Sequence, residues 1–144
     1  MKHLLLLALS SLFLCQCNSV TVKGSAPNPP VKHLAIVNND DIHMSGTQPE
    51  MVKQVQAMGI SVEVVDKAPA GDVYYLTYSA NWYWDLAMYL KYFQANLHRG
   101  SSVVGSVEYQ TSGLDMNKFG RTENKIRPLL RQLILGEKPV RKKK

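Results

Sequence analysis

The sequence predicts an α+β fold, a two-layer sandwich in which two helices pack on one face of a mostly antiparallel sheet. Two observations favour this fold. Several segments have the residue types and the alternation of strands, and two others repeat apolar residues at the spacing of a helix face. Each such helix has one apolar face, which a sheet can cover. The predicted order of the elements is β-α-β-β-β-α.

The first strand and the first helix are predicted from an apolar run and from a helical repeat. Leu34–Val37 is continuously apolar, as in a strand that is buried on both faces. A short amphipathic helix is predicted over Pro49–Met58, with Thr47 and Glu50 as a capping box at its start and Gly59 at its end. This helix is long enough to act as the crossover that a parallel pair of strands requires.

Extended segments follow in the middle of the chain. Ile60–Val64 alternates between apolar and polar residues, and Val73–Ala80 is rich in residues that favour strands. Leu86–Leu97 fits both a helix face and a strand. We favour the strand, because the turn signal His98–Ser101 and the extended segment Val103–Tyr109 come next and together indicate a hairpin.

The last helix is predicted over Thr122–Leu135, where apolar residues recur on one face before Gly136. Pro128 lies within this pattern and leaves two alternatives. Either the helix starts at Arg127, with the proline in its first turn, or it begins near Thr122 and kinks at the proline.

The leading segment has the composition of an export signal. Lys2 and His3 precede an apolar run from Leu4 to Leu14. A positive start, an apolar stretch of about 7–15 residues and a processing site make a signal peptide, whereas a membrane-spanning helix needs roughly 20 apolar residues. We therefore expect residues 1–16 to be a signal peptide that is removed.

Two cysteines end this segment, Cys15 and Cys17, and the sequence contains no others. A cysteine at this place resembles the lipid-attachment site of bacterial lipoproteins, in which leucine stands three positions before the modified cysteine and a small residue directly before it. Cys17 has Leu14 at the first of these positions but Gln16 at the second, and Cys15 follows two bulky residues. We favour lipid attachment at Cys17, with Cys15 as the alternative. Cleavage by ordinary signal peptidase is disfavoured, because the segment has no Ala-x-Ala box.

The rest of the chain is predicted to consist of a tether, one domain and a tail. Residues 17–32, with several small, polar and proline residues, are expected to be a flexible tether, and residues 33–136 a single α+β domain. Residues 137–144 are expected to be a basic, disordered tail. Asn18 stands where aspartate retains many enterobacterial lipoproteins at the inner membrane. The resemblance therefore implies the outer membrane, with the domain facing the periplasm.

The basic charge of the sequence is concentrated at its ends. The formal net charge is +6, but Lys2 lies in the signal and five cations lie in the last seven residues. The remaining domain is near neutral and has no basic stripe, which argues against nucleic acid as a partner. The expected partners are the membrane, through the N-terminal lipid, and an envelope protein, and a glycan stays open.

The aromatic segment 74–85 is the most unusual part of the expected mature chain, because it holds both tryptophans and four of the seven tyrosines. Trp82, Tyr83 and Trp84 are candidates for partner binding, since tryptophan and tyrosine dominate interface hot spots. The alternatives are packing of these rings in the core and a platform for peptidoglycan or lipopolysaccharide. A division is also open, with one tryptophan in the core and the other exposed.

The sequence contains no catalytic signature, and we expect neither enzymatic activity nor a metal or cofactor. Asp40, Asp41 and His43 are the best candidates for such a site, but a metal needs three or four converging ligands with supporting contacts. A turn before the first helix explains these residues better.

Three stretches, residues 78–90, 104–109 and 118–129, resemble small proteobacterial lipoproteins of unassigned function. The likeness covers most of His33–Leu135. It implies a lipid-anchored protein of the cell envelope and supplies no catalytic residue to carry over. The expected function is that of a non-enzymatic binding or assembly accessory. The alternative is a protein that binds peptidoglycan or lipopolysaccharide through residues 74–85.

Overall fold

The computed structural model describes residues 18–113, 115 and 118–138. The predicted signal peptide, both cysteines and most of the predicted basic tail lie outside these residues. Within them the chain forms six strands and two helices: β1 Ser19–Gly24, β2 His33–Val37, α1 Thr47–Gln56, β3 Ser61–Val65, β4 Tyr74–Asp85, β5 Ala87–Arg99, β6 Ser102–Gln110 and α2 Thr122–Leu135.

The strands form one sheet in the order β1-β6-β5-β4-β2-β3. Its pairs are antiparallel, except that β2 runs parallel to both β3 and β4. Helix α1 supplies the crossover from β2 to β3 that parallel pairing requires. The predicted α+β class and the predicted two-layer architecture are confirmed.

The core lies between the helices and one face of the sheet, which explains the helical and alternating apolar patterns in the sequence. Its fully buried apolar residues come from both helices and from four strands: Leu34, Ile36, Met51, Val55, Leu76, Phe93, Ala95, Leu97, Val107, Ile126 and Leu130.

The strand that the sequence favours over a helix for Leu86–Leu97 is confirmed as β5. The five predicted strand segments therefore match β2 to β6, although the predicted order counts only four strands. The strand that the sequence did not predict is β1, whose residues Ser19–Gly24 pair along their whole length with β6 and lie within the segment predicted to be a flexible tether. Val31 from the same segment is buried in the core. Residues 17–32 are therefore not a tether throughout, and ordered structure begins before residue 33.

The start of α1 differs from the predicted capping box. The helix begins at Thr47 itself and its cap is Gly46, which makes no side-chain cap hydrogen bond. The Thr47 N–H donates to the carbonyl of Met44 (3.1 Å), and the Glu50 carboxylate accepts from the Gln54 amide (2.5 Å). Thr47 is already in the helix and 1% exposed, so its hydroxyl is placed inside the domain and does not serve as a cap.

Helix α2 resolves the two alternatives that Pro128 left open. It begins at Thr122 and contains the proline in its interior. It ends as predicted at Gly136, which adopts the left-handed conformation (φ 68°) and donates its N–H to the carbonyl of Gln132 (3.0 Å).

Candidate functional site

A hairpin projects from one end of the sheet. Ser19, Gln110, Tyr92 and Asn81 lie side by side on β1, β6, β5 and β4. Beyond this row β4 and β5 continue as a pair through residues 82–91, which we call the hairpin tip. A bulge sets the tip apart from the rest of the hairpin, because the register shifts where the tip begins.

One face of the hairpin tip exposes a group of apolar side chains. Trp84 is 66% exposed and pairs directly across the hairpin with Met88, which is 47% exposed. Leu86 forms the apex and is 86% exposed. Its φ of 62° is in the left-handed region, which a leucine rarely adopts. Contiguous apolar side chains of this kind mark interaction surfaces more often than single exposed residues do.

The opposite face of the tip is held by a row of aromatic rings. The rings of Tyr83 and Tyr89 meet edge to face at 6.0 Å between centroids, and those of Tyr89 and Phe119 at 5.9 Å. The ammonium of Lys91 lies 4.8 Å from the centre of the Tyr83 ring. Tyr89 is only 2% exposed, so this row fixes the hairpin against the loop that precedes α2.

A buried lysine completes this attachment. Lys118 is 5% exposed, and its Nζ donates to the Asp85 carboxylate (2.5 Å) and to the carbonyl of Gly113. The same ammonium lies 5.2 Å from the centre of the Tyr89 ring. A buried charge is tolerated only when it is paired and hydrogen-bonded, and here the ion pair joins the loop to a residue adjacent to the apex.

Trp82 and Trp84 share a face of the hairpin but not an environment. Trp82 packs partly buried against the core, and it lines a cavity of 240 Å³ together with Thr47, Arg121 and Glu123. The indole N–H of Trp82 and the hydroxyl of Thr47 are buried there without a hydrogen-bond partner among the described residues. The structure thus has the division that the sequence left open, with Trp82 packed inward and Trp84 exposed.

The first part of the aromatic segment has a structural role. The ring of Tyr75 stacks on the imidazole of His98, with 4.5 Å between centroids and 5° between planes, and burial lowers the pKa of that imidazole. Tyr78 is 6% exposed, and burial raises the pKa of its phenol. Among the three predicted partner-binding residues, Tyr83 and Trp84 are exposed and Trp82 is partly buried.

The acidic residues before α1 form a turn. The Asn38 amide donates to Asp40 (2.8 Å), and the Asn39 side chain accepts from the backbone N–H of Asp41 (3.1 Å). These contacts are those of a loop that folds on its own polar side chains. Among the described residues, no group of three or more His, Cys, Asp or Glu side chains is arranged to hold a metal ion.

Three residues of this site are not indicated as such by the sequence. Leu86 and Met88 belong to a segment that the sequence predicts as a strand without a surface role, although their alternation with Trp84 is visible in the sequence. Lys118 lies 33 residues from Asp85, and no local pattern connects the two.

Within the part of the chain that the structure describes, no helix is long and apolar enough to cross a membrane.

Comparison with known proteins adds two distant similarities of structure. No protein-family model matches the chain, and no curated protein matches it. The chain is similar to a variant PelC dodecamer from Paraburkholderia phytofirmans, with 20% identity over 77% of this chain and 98% of that one and a TM-score of 0.49. It is also similar to a minor lipoprotein from Acinetobacter baumannii, with 14% identity over 73% and 84% of the two chains and a TM-score of 0.33.

Similarity at this level assigns neither a family nor a function to the chain. The second of these proteins is described as a lipoprotein. Membership of a small proteobacterial lipoprotein family stays a prediction from the sequence. On the described residues, the molecule is a small α+β domain with a braced, partly apolar hairpin projecting from its sheet.

Proposed function

We propose that this chain is an exported, lipid-anchored protein of the cell envelope that acts by binding another component of the envelope, with the hairpin tip as its binding surface. One observation carries the second part of the proposal. Trp84 and Leu86 are 66% and 86% exposed on a hairpin that an ion pair and a row of aromatic rings hold in place. An apolar surface that is ordered in advance binds at a lower entropic cost than a mobile loop does.

The proposed anchor lies close to the folded domain in the sequence. Cys17 precedes the first residue of β1 by two residues, so a lipid on this cysteine holds the domain close to the membrane. Asn18 in place of aspartate supports an outer-membrane location on the periplasmic side. Lipidation then confines the domain to one surface, and the hairpin tip can act with modest affinity, because attachment raises its effective concentration.

Binding accounts for the polar residues of the tip better than catalysis does. The Asp85 carboxylate is engaged by Lys118, and the Lys91 ammonium lies over an aromatic ring. Both groups therefore serve the shape of the hairpin. The exposed part of the tip consists of apolar and aromatic side chains, which supply contact area.

The arrangement of the rings favours this proposal over glycan binding through residues 74–85. Adjacent residues of a strand point to opposite faces, so the two exposed rings, Tyr83 and Trp84, do not form one platform. Tyr75 and Tyr78 are buried, and Trp82 is partly buried beside the starts of the two helices. A sugar would therefore meet single rings, and purified peptidoglycan or lipopolysaccharide is expected not to retain the protein at physiological salt.

Two matched variants test the anchor. Cys17→Ala is expected to abolish labelling of the exported protein by a fatty-acid analogue. Cys15→Ala, which changes the neighbouring thiol, is expected to leave the labelling unchanged. The reverse result transfers the attachment site to Cys15, and labelling of the variant that lacks both cysteines contradicts attachment to either thiol.

A further inference from the structure

We infer that the component bound by the hairpin tip is the surface of the lipid leaflet that holds the anchor. This inference rests on the proposed lipid attachment at Cys17 and names the partner of the surface described above. Three independent features of the described residues lead to it: the direction in which the chain enters the sheet, the reach of the hairpin, and the chemistry of its apex.

The chain enters the sheet at the same end from which the tip projects. Ser19, the first residue of β1, is in one cross-strand row with Asn81, the last residue of β4 before the tip. From Ser19 the strand runs away from the tip to Gly24, which pairs with Gly105. The chain therefore reaches the domain from the side on which the hairpin projects. Three strand spacings separate the entry point from the hairpin, or about 14 Å.

The hairpin reaches farther from this row than the anchor does. Cys17 is two residue steps from Ser19, and these steps span at most about 7 Å. The apex, Leu86, is five residues beyond Asn81, or about 16 Å at the rise of a strand. Because 7 Å is the longest reach of this linker, the apex lies at least about 9 Å beyond Cys17 along the strand direction. A lipid on Cys17 that enters the leaflet therefore brings the apex to the leaflet as well, where interfacial segments sit at depths of about 5–10 Å.

The side chains of the apex suit this depth. Tryptophan is enriched where the headgroups meet the hydrocarbon, and leucine favours the hydrocarbon itself. Trp84, Leu86 and Met88 present such groups together. The nearest acidic group, Asp85, is paired with a lysine, which lowers the cost of bringing it to the membrane. Lys91 lies further back on the tip, at a level that suits anionic headgroups.

The basic C-terminal segment begins at the opposite end of the domain. The end of α2 lies beside the chain that follows β1, since a side chain on Gly136 would meet Ala26 at 2.7 Å. The C-terminal basic segment thus starts at the end of the sheet remote from the tip.

Fluorescence of the lipidated, full mature protein in vesicles of phosphatidylethanolamine and phosphatidylglycerol tests the inference. Trp82→Phe leaves Trp84 as the sole tryptophan, and Trp84→Phe leaves Trp82 as the matched control. We expect the emission of Trp84 to shift to shorter wavelength and to be quenched by lipids brominated near the headgroup. The emission of Trp82 should neither shift on addition of vesicles nor be quenched by the brominated lipids.

A variant at the apex separates lipid contact from folding. Leu86→Asn replaces an apolar side chain with a polar one that tolerates positive φ. We expect the docked fraction of the tip, measured by the quenching of Trp84, to fall about tenfold, while the thermal midpoint of the protein stays the same or rises. An unchanged docked fraction contradicts a role of the apex in lipid contact.

The outcomes distinguish this inference from the proposed anchor. Protein that floats with vesicles through its acyl chain, but whose Trp84 is not quenched, overturns the inference and leaves the anchor intact. Protein without an acyl chain, whose Trp84 is nevertheless quenched, overturns the anchor and supports lipid contact by the tip. Shielding of Trp84 by an envelope protein and not by vesicles also overturns the inference.

Discussion

Lys118 and Asp85 form an ion pair across 33 residues of sequence, with the ammonium almost fully buried and 2.5 Å from the carboxylate. The pair fixes the loop before α2 to the hairpin, one residue from its apex. The position of the exposed tryptophan and leucine therefore depends on a contact made on the other face of the hairpin.

Removal of the carboxylate is expected to loosen the tip. Asp85→Ala leaves the Lys118 ammonium buried without its charged partner, which costs about 1–3 kcal/mol in the free energy of unfolding. Amide hydrogen exchange over residues 82–91 should accelerate. Asp72→Ala is the control: it removes an ion pair of 2.8 Å with Arg99, but one whose carboxylate is 69% exposed, and surface pairs contribute little. Equal effects of the two variants contradict a bracing role of Lys118.

The strand β1 can be tested at its last residue. Gly24 has φ 90°, and a Cβ at this position would lie 2.5 Å from the carbonyl oxygen of Val104. Gly24→Ala is therefore expected to destabilise the domain by about 1–3 kcal/mol in chemical unfolding. Gly46→Ala is the control, since Gly46 has helical backbone angles and open space around it. A Gly24→Ala variant as stable as the wild type indicates that this segment is a tether after all.

The two tryptophans are expected to separate stability from binding. Trp82→Ala removes a ring packed against the core, and we expect a loss of about 1–3 kcal/mol, less than for a fully buried ring. Trp84→Ala changes an exposed side chain and should stay within about 0.5 kcal/mol of the wild type, while it weakens attachment at the tip. Thermal unfolding of both variants measures the loss of stability. Equal destabilisation by both would make Trp84 a structural residue.

The stability of the fold is expected to fall in mildly acidic solution. Burial lowers the pKa of His98 from its ordinary value of 6.5, so the unfolded chain takes up a proton at a pH at which the folded protein has not yet done so. Stability therefore decreases as the pH drops below about 6.5 and levels off below the folded pKa. His98→Gln should flatten this part of the profile in denaturant titrations. An identical slope in the variant contradicts the assignment to His98.

Local periodicity was sufficient to predict most of the fold. Helix α2 and strand β6 were visible because their apolar residues repeat at the spacing of a helix and of a strand. Strand β1 was missed because all of its residues are exposed: Val20 and Val22 alternate with polar residues, but they cover no core. Its partner β6 is also more than 80 residues away in the sequence, and such pairing leaves no local signal.

The candidate site was only partly visible in the sequence, for a related reason. The aromatic segment stands out by composition, but the difference between Trp82 and Trp84 depends on where the layer of helices ends. Residues at the start of α1 and α2 line one cavity with Trp82, whereas Trp84 is 66% exposed. The left-handed backbone of Leu86 and the buried position of Lys118 arise from the tertiary fold.

The mass of the intact protein isolated from the membrane fraction tests the central claim most directly. The account predicts a chain that begins at Cys17 and carries acyl groups on that residue, with residues 1–16 removed. A soluble product that still begins at Met1 and has two free thiols would contradict it.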